Sequence, residues 1–382
     1  MPDFSLSEEQ TSLRDLARKF ARTEMAPKAA ECDREGRFPE EIVRKAWELG
    51  LMNLNVPTEY GGSGLPLLDQ CLIVEEMARA CGGMTTSIIA NCLALEPILL
   101  AGSAAQKDRV LGPFCADYHL AAFCLTEPGG GSDAGALKTR ARKEGDHYTL
   151  TGEKCFITNG PHASLYTVFA TIDPELKHKG ITAFVVPRDT PGVVPGKEEE
   201  KMGHRASSTS TVRFEGAKVP VDDRLGAEGD GFALAMRTLD QTRTPIGALA
   251  TGIAQAALDH AADYSLKRQT FGKPISEHQA IQIKLANMAQ AVHAARLLTW
   301  HAAWTIDHGS RGTLESSIAK CFASDAAMRV ADEAIQIFGG YGYMRAYPVE
   351  KLLRDAKLTQ IYEGSNEIQR MVTSRELLRQ YS

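Results

Sequence analysis

Ala121-Ala122-Phe123-Cys124-Leu125-Thr126-Glu127-Pro128-Gly129-Gly130-Gly131-Ser132-Asp133-Ala134 is the stretch on which the fold class turns. Its glycines match G-x-G-x-x-[GA] by letter and come after a short apolar run. A dinucleotide-binding turn requires a helix next, with its N-terminus facing a pyrophosphate. Instead the chain continues into Leu137-Lys138-Thr139-Arg140-Ala141-Arg142, which is strand-like. The stretch therefore opens a β region, not a Rossmann unit. A loop whose backbone amides meet a ligand oxygen stays open as a reading.

Downstream, His147–Thr151 alternates with period two, Gly152-Glu153 reads as a turn, and Lys154–Thr158 continues. Leu165–Thr171, Ile181–Pro187 and Thr211–Phe214 are further β-like runs separated by Gly, Pro and Asp. Short strands with no helices between them predict a small antiparallel β domain over residues 121–230.

Upstream, residues 1–120 read as mostly helical. Leu13, Leu16, Ala17 and Phe20 make an amphipathic helix from Ser7 to about Ala30. A second runs from Pro39 to Gly50, and a glycine-rich loop covers Pro57–Pro66. Leu67–Ala80 and Met84–Leu100 then read as two buried helices. From Gly231 to the end the pattern is helical again. Ile246, Leu249, Ile253 and Ala257 share a face, as do Ile281, Leu285, Met288, Val292, Ala295 and Ala302, and a third helix covers about Glu315–Phe338. The expected organisation is an all-α domain over 1–120, a β domain over 121–230 and a helical bundle over 231–382.

Bulk properties narrow the function classes. Hydrophobic content of 43%, charged content of 24%, a formal charge of −5 and a pI near 6.1 give no sign of nucleic-acid or membrane-surface binding. Apolar runs break short of about 18 residues, so no membrane insertion is expected. Met1–Ser5 carries neither an apolar signal core nor an arginine-rich transit pattern. The compartment expected is bacterial-type cytoplasm, or the mitochondrial matrix if a presequence has been removed. Eight cysteines without a CxxC pair read as reduced thiols, and the histidines show no metal-ligand spacing, so no metal is expected.

Ile361-Tyr362-Glu363-Gly364-Ser365-Asn366-Glu367-Ile368-Gln369-Arg370 holds one carboxylate on a short link. Gly364 frees the backbone, and Asn366 can cap a helix with Gln369 bonding back. Glu363 there is either a catalytic base or a structural partner for an arginine, the commoner role. Asp240 and Arg243 are i,i+3 neighbours, and as a surface pair would contribute at most ~1 kcal/mol. Gly339-Gly340-Tyr341-Gly342 reads as a helix stop, with close approach to a ligand second. The residues alone do not reach a reaction.

Five stretches together resemble the signatures of the acyl-CoA dehydrogenases, in that family's order and spacing over essentially the whole chain. They are Leu125–Pro128 with Gly131–Asp133, Phe156–Gly160, Arg268–Pro274 with His278-Gln279, Gln336–Gly340, and Ile361–Gly364. Arg44–Asn53 and the C-terminal third are similar to the medium- and short-chain branch. The resemblance implies a helical N-terminal domain, a central β domain and a C-terminal domain of four-helix-bundle type. It implies FAD as cofactor, an acyl-CoA thioester oxidised to the trans-2-enoyl-CoA, and electrons passed to an electron-transfer flavoprotein.

Residue by residue, it implies flavin contact at Phe123, Leu125, Thr126, Gly131, Ser132, Phe156, Ile157 and Thr158, with Ser365 and Asn366 beside the cofactor. Arg268, Thr270, Phe271, Gln279, Gln336, Gly339 and Gly340 would reach a neighbouring subunit's FAD, which implies a homotetramer built as a dimer of dimers. Ser132, Ser207, Asp240, Arg243 and Arg375 match positions contacting CoA. Glu363 falls on the base, Tyr362 becomes a pocket wall, and Gly364 gives substrate room. One subgroup places its base where Thr242 stands, which cannot serve. Departures are Phe156 for the usual tryptophan, Ser365-Asn366 for Thr-Ser or Thr-Gln, and Ile89 where medium-chain relatives carry an acid. The same fold hosts oxidases, glutaryl-CoA dehydrogenases and monooxygenase-like relatives, and a scaffold that has lost turnover is the non-enzymatic alternative.

Overall fold

The computed structural model describes residues 5–381, so the reading of Met1–Phe4 lies outside the described residues. Helix α1, Glu8–Phe20, starts on a capping box: Ser7 accepts from the Gln10 N–H and Gln10 bonds back. A five-residue π turn, Ala21–Met25, leads into α2, Ala26–Glu35, which ends at Gly36 with φ +65°. The predicted first helix is thus longer than expected and widened midway. Helices α3 (Glu40–Glu48), α4 (Leu67–Ala80), α5 (Gly82–Ala101) and α6 (Ala104–Ala116) come next. No expectation covered α6, whose start is a second capping box at Ser103.

Helix α5 corrects the reading of apolar runs. Gly82–Ala101 is long and apolar enough to cross a membrane by length and composition, and 67% of its most apolar window is buried in the protein. Its Ile88 and Met84 pack into the N-terminal helices, its Leu95 and Ile98 against the sheet, and Ile89 against the C-terminal bundle. A helix enclosed this way needs no solvent-facing polar stripe, and its less buried residues Ile89, Leu93 and Glu96 fall on one side.

The sheet comprises β1 (Ala121–Cys124), β2 (Arg140–Glu144), β3 (His147–Thr158), β4 (Leu165–Thr171), β5 (Ile181–Pro187), β6 (Val193–Glu198), β7 (Thr209–Pro220) and β8 (Arg224–Leu225). Its order is β6-β7-β3-β2-β4-β5-β8, with β1 beside β4. Pairing is antiparallel except at β1–β4 and one β2–β4 bridge. Strand β2 occupies the place where a Rossmann unit would need a helix. Gly152 is not a turn: β3 runs through it, paired with Phe214 of β7, and a Cβ there would lie 2.6 Å from Thr139 Cα.

Helices α7 (Gly231–Lys267), α8 (Gln279–Asp307), α9 (Thr313–Phe338), α10 (Val349–Thr359) and α11 (Asn366–Arg379) complete the chain. Alanines on α7 and α9, among them Ala250, Ala254, Ala257, Ala323 and Ala327, let these helices pack closely with α4 and α8. At Gly252 the approach is closest, since a Cβ would sit 2.3 Å from the Glu75 carbonyl oxygen of α4. The seam between α5, α7, the sheet and the α10–α11 link is left open as the site.

Candidate active site

A cavity of about 1530 Å³ fills that seam. Its walls are one stripe of α5, the N-terminal half of α7, the loop after β1, the end of β3 and the link Ile361–Ser365.

Glu363 stands on that link with φ +55°, and Gly364 comes after it at φ +90°. A non-glycine residue in the left-handed region is strained by about 1–2 kcal/mol, and four side-chain contacts hold it there. Gln369 Nε2 donates to the Glu363 and Gly364 carbonyls, both at 3.2 Å. Arg243 Nε donates to the Glu363 carbonyl at 3.3 Å, and Lys320 Nζ to the Gly364 carbonyl at 2.8 Å. The carboxylate accepts from Thr242 Oγ1 at 2.8 Å. Burial pushes the Glu363 carboxyl up, against the Thr242 hydrogen bond and the charges of Arg243 and Lys320. The result is a carboxylate more basic than one in water.

The cap differs from expectation. Ser365, not Asn366, caps α11. Asn366 is buried and bonds Lys320 at 3.0 Å, Ser324 at 2.8 Å and Asp325 at 2.8 Å, away from the cavity wall. Gln369 reaches the carbonyls before the cap instead of the cap itself.

Asp240 and Arg243 also depart from a surface pair. Both are buried and 3.2 Å apart, and Asp240 takes further bonds from Arg311 and Thr313 at 2.7 and 2.9 Å. Arg243 lines the cavity; Asp240 anchors it from behind.

Lys320 was not among the residues expected at the site. Its side chain is fully covered, on an α9 stripe of Ser316, Ser317, Lys320 and Ser324. That polar stripe within an alanine-rich helix is the signal that was available. Burial pushes its ammonium down to about 8 although Glu363 attracts it. Its charge, present at neutral pH, favours ionised Glu363. In Lys320→Met, Glu363 should therefore need a higher pH to ionise. Titration of the carboxylate by difference infrared spectroscopy in wild type and variant checks this, and coincident titration curves sink it.

Phe123, Leu125, Thr126, Gly131, Ser132, Phe156, Ile157 and Thr158 all line the same cavity. Phe156 has φ +58° and is 70% exposed, so its ring faces open space and not the core. The loop beneath is pinned by Glu127, which accepts from the Lys138 and Thr139 N–H groups at 2.6 and 3.0 Å and from Lys154 Nζ at 2.7 Å. Lys154 also donates to the Leu125 carbonyl at 3.1 Å. Burial pushes Glu127 up, but Lys154 and these donors outweigh it and leave the carboxyl below the usual range. Ser207, bonded to Ser87 at 3.0 Å, lines the cavity too, as do Gly364, Ser365 and Tyr362, whose ring meets His204 edge-on.

The remaining predicted residues lie elsewhere. Arg268, Thr270, Phe271, Gln279, Gln336, Gly339 and Gly340 are not in the cavity wall; several gather near one end of the bundle. There Arg268 lies over the Tyr341 ring, Thr270 bonds His278, and Phe271 is 95% exposed. Arg375 is on exposed α11, paired with Glu376.

The residues present fit a flavin. Among the described residues the Thr126 and Thr158 hydroxyls bond no protein group, and both face the cavity beside an outward aromatic ring. Gly131 keeps the backbone open, since a Cβ there would meet only Thr126 at 3.9 Å.

Comparison with known proteins agrees along the chain. Models described as the acyl-CoA dehydrogenase N-terminal, middle and C-terminal domains match residues 7–117, 122–217 and 229–378. The short-chain specific acyl-CoA dehydrogenase of Bos taurus mitochondria is 48% identical over 378 residues, 98% of this chain and 92% of its own. Butyryl-CoA dehydrogenase from Megasphaera elsdenii superposes with a TM-score of 0.97 at 44% identity, over 99% of this chain and 100% of its own. A chain from the structure described as "Electron transferring flavoprotein of Acidaminococcus fermentans: Towards a mechanism of flavin-based electron bifurcation" gives a TM-score of 0.96 at 44% identity, over 99% and 100%. With all three domains matched and Glu363 held at a cavity suited to a flavin, the chain belongs to the acyl-CoA dehydrogenase family of flavoprotein oxidoreductases.

Proposed function

We propose that this enzyme binds FAD and oxidises short straight-chain acyl-CoA thioesters to trans-2-enoyl-CoA, with Glu363 as base and an electron-transfer flavoprotein as acceptor. The observation that carries the reading is the Glu363 carboxylate, bonded to Thr242 and facing the same cavity as the flavin-suited wall.

The α-proton of a thioester is very weakly acidic, so a base must meet it while the carbonyl oxygen is hydrogen-bonded. Glu363 supplies the base, and its own N–H, which among the described residues has no acceptor, is free to serve the carbonyl. Displacement of water by the acyl chain raises the carboxylate's basicity further. Thr242 keeps one oxygen fixed, leaving the other for the proton. Phe123–Ser132 and Phe156–Thr158 would hold the flavin, with Ser365 at its edge. When bound, FAD supplies the acceptor for the β-hydride, which balances the proton taken by Glu363. Ile89, Val74 and Ile246 give the acyl end apolar walls, and the short-chain and butyryl relatives support a short substrate.

Arg268, Thr270, Phe271, Gln279, Gln336, Gly339 and Gly340 would meet the cofactor of a neighbouring subunit in a homotetramer; their exposure and distance from this chain's own cavity support that role. Asp240 and Arg375 would serve CoA only indirectly or at its far end. A compartment that keeps thiols reduced suits the eight free cysteines.

Anaerobic addition of butyryl-, hexanoyl-, octanoyl- and branched acyl-CoAs is the test. Butyryl-CoA should bleach the flavin band fastest. No bleaching by any of them overturns the reading, and rapid peroxide formation in air would make the enzyme an oxidase.

A further inference from the structure

Helix α5 presents Thr86, Ile89, Ala90, Leu93 and Glu96 to the cavity at helical spacing. Glu96 is the one carboxylate that α5 brings to the cavity, and α-proton abstraction gives it no task. It is held in place: Asn55 Nδ2 donates to Glu96 Oε2 at 2.7 Å and to the Cys92 carbonyl at 3.1 Å. The other carboxylate oxygen has no hydrogen-bond partner among the described residues. Burial pushes the carboxyl up, while the Asn55 bond and the charge of Arg237 pull the other way. A half-satisfied acid in an otherwise apolar wall is unfavourable unless something in the cavity donates to it.

Its position along the cavity is fixed by two helices. Thr86 bonds His204, on which Tyr362 packs, so Thr86 marks the end beside Tyr362. Glu96 is ten residues further on, about 15 Å along the helix. On α7, Thr242 touches Glu363, whereas Arg237, whose charge reaches Glu96, lies five residues earlier. Glu96 is therefore set back from the reacting carbons. A saturated acyl chain carries no donor at any distance, whereas a pantetheine arm carries two amide N–H groups and a hydroxyl.

We infer that Glu96, oriented by Asn55, is a specificity residue that accepts a hydrogen bond from an N–H or O–H donor on the bound thioester, supplied by the arm that carries the acyl group. This rests on the acyl-CoA function proposed for the cavity.

The test compares FAD-loaded wild type, Glu96→Gln and Glu96→Leu in flavin reduction. Four thioesters are used: butyryl-CoA, 4-hydroxybutyryl-CoA, S-butyrylpantetheine, and S-propyl thiobutyrate, which has no donor. A hydrogen bond to a charged group corresponds to about tenfold or more in affinity. Glu96→Leu should weaken the first three by that factor, leave their saturating reduction rate within about twofold, and leave S-propyl thiobutyrate unaffected. Glu96→Gln, which keeps an acceptor oxygen, should lose less. A selective loss for 4-hydroxybutyryl-CoA with butyryl-CoA unchanged overturns the assignment to the arm and gives the donor to a hydroxylated acyl chain. Equal changes for all thioesters, or none, overturn the proposal. If wild type itself is not reduced by any thioester, the acyl-CoA reading fails instead, so the two failures are distinguishable.

Discussion

Glu363→Gln should keep the fold, the flavin and acyl-CoA binding, yet reduce its flavin about 10³-fold more slowly. Glutamine preserves the size of the side chain and an oxygen for Thr242, so the link at φ +55° has no new reason to move. What disappears is the lone pair able to take the α-proton. Arg243, Gln369 and Lys320 bind backbone carbonyls of the link, not the carboxylate, so the turn survives the substitution. Anaerobic stopped-flow reduction by butyryl-CoA gives the rate, and a binding titration with an unreactive thioester separates affinity from chemistry. Reduction at near the original rate would place the base elsewhere.

Lys154→Met should be the most damaging substitution on the flavin side. The Lys154 side chain is fully covered and Glu127 nearly so. Removing the cation leaves a buried carboxylate with only backbone donors, and breaking such a pair typically costs about 3–5 kcal/mol. The Leu125 carbonyl loses its partner as well, so the loop carrying Leu125 and Thr126 is released. A lower thermal midpoint and loss of FAD on gel filtration are expected. Adding Glu127→Gln should recover part of the stability, because the orphaned charge is gone while the Lys138 and Thr139 N–H groups still find an oxygen. If Lys154→Met melts with wild type and retains its flavin, the pair does not organise this loop.

Local pattern settled more of the fold than of the site. The glycine match at Gly129–Ala134 was decided by the residues after it, and Arg140–Glu144 is indeed a strand. Helix α6 escaped notice because Gly112 and Pro113 interrupt a mixed sequence, and Gly152 looked like a turn because turns and close backbone approach within a strand both call for glycine. The chemistry of Glu363 depends on Thr242 and Lys320, which are distant in sequence and carry no local mark of their destination. The i,i+3 rule paired Asp240 with Arg243 correctly but says nothing about which helix face is covered. Five motifs in register supplied what periodicity lacked, and the comparisons bear out the family they pointed to.

The left-handed backbone at Glu363 has an evolutionary corollary. Glycine or asparagine would occupy that conformation at less strain, and neither would bury a carboxylate. On the role proposed for Glu363, drift toward greater stability at this position runs against turnover. Among relatives with no carboxylate at the position of Thr242, the residue identity at 363 would then separate working members from well-folded descendants that have fallen silent.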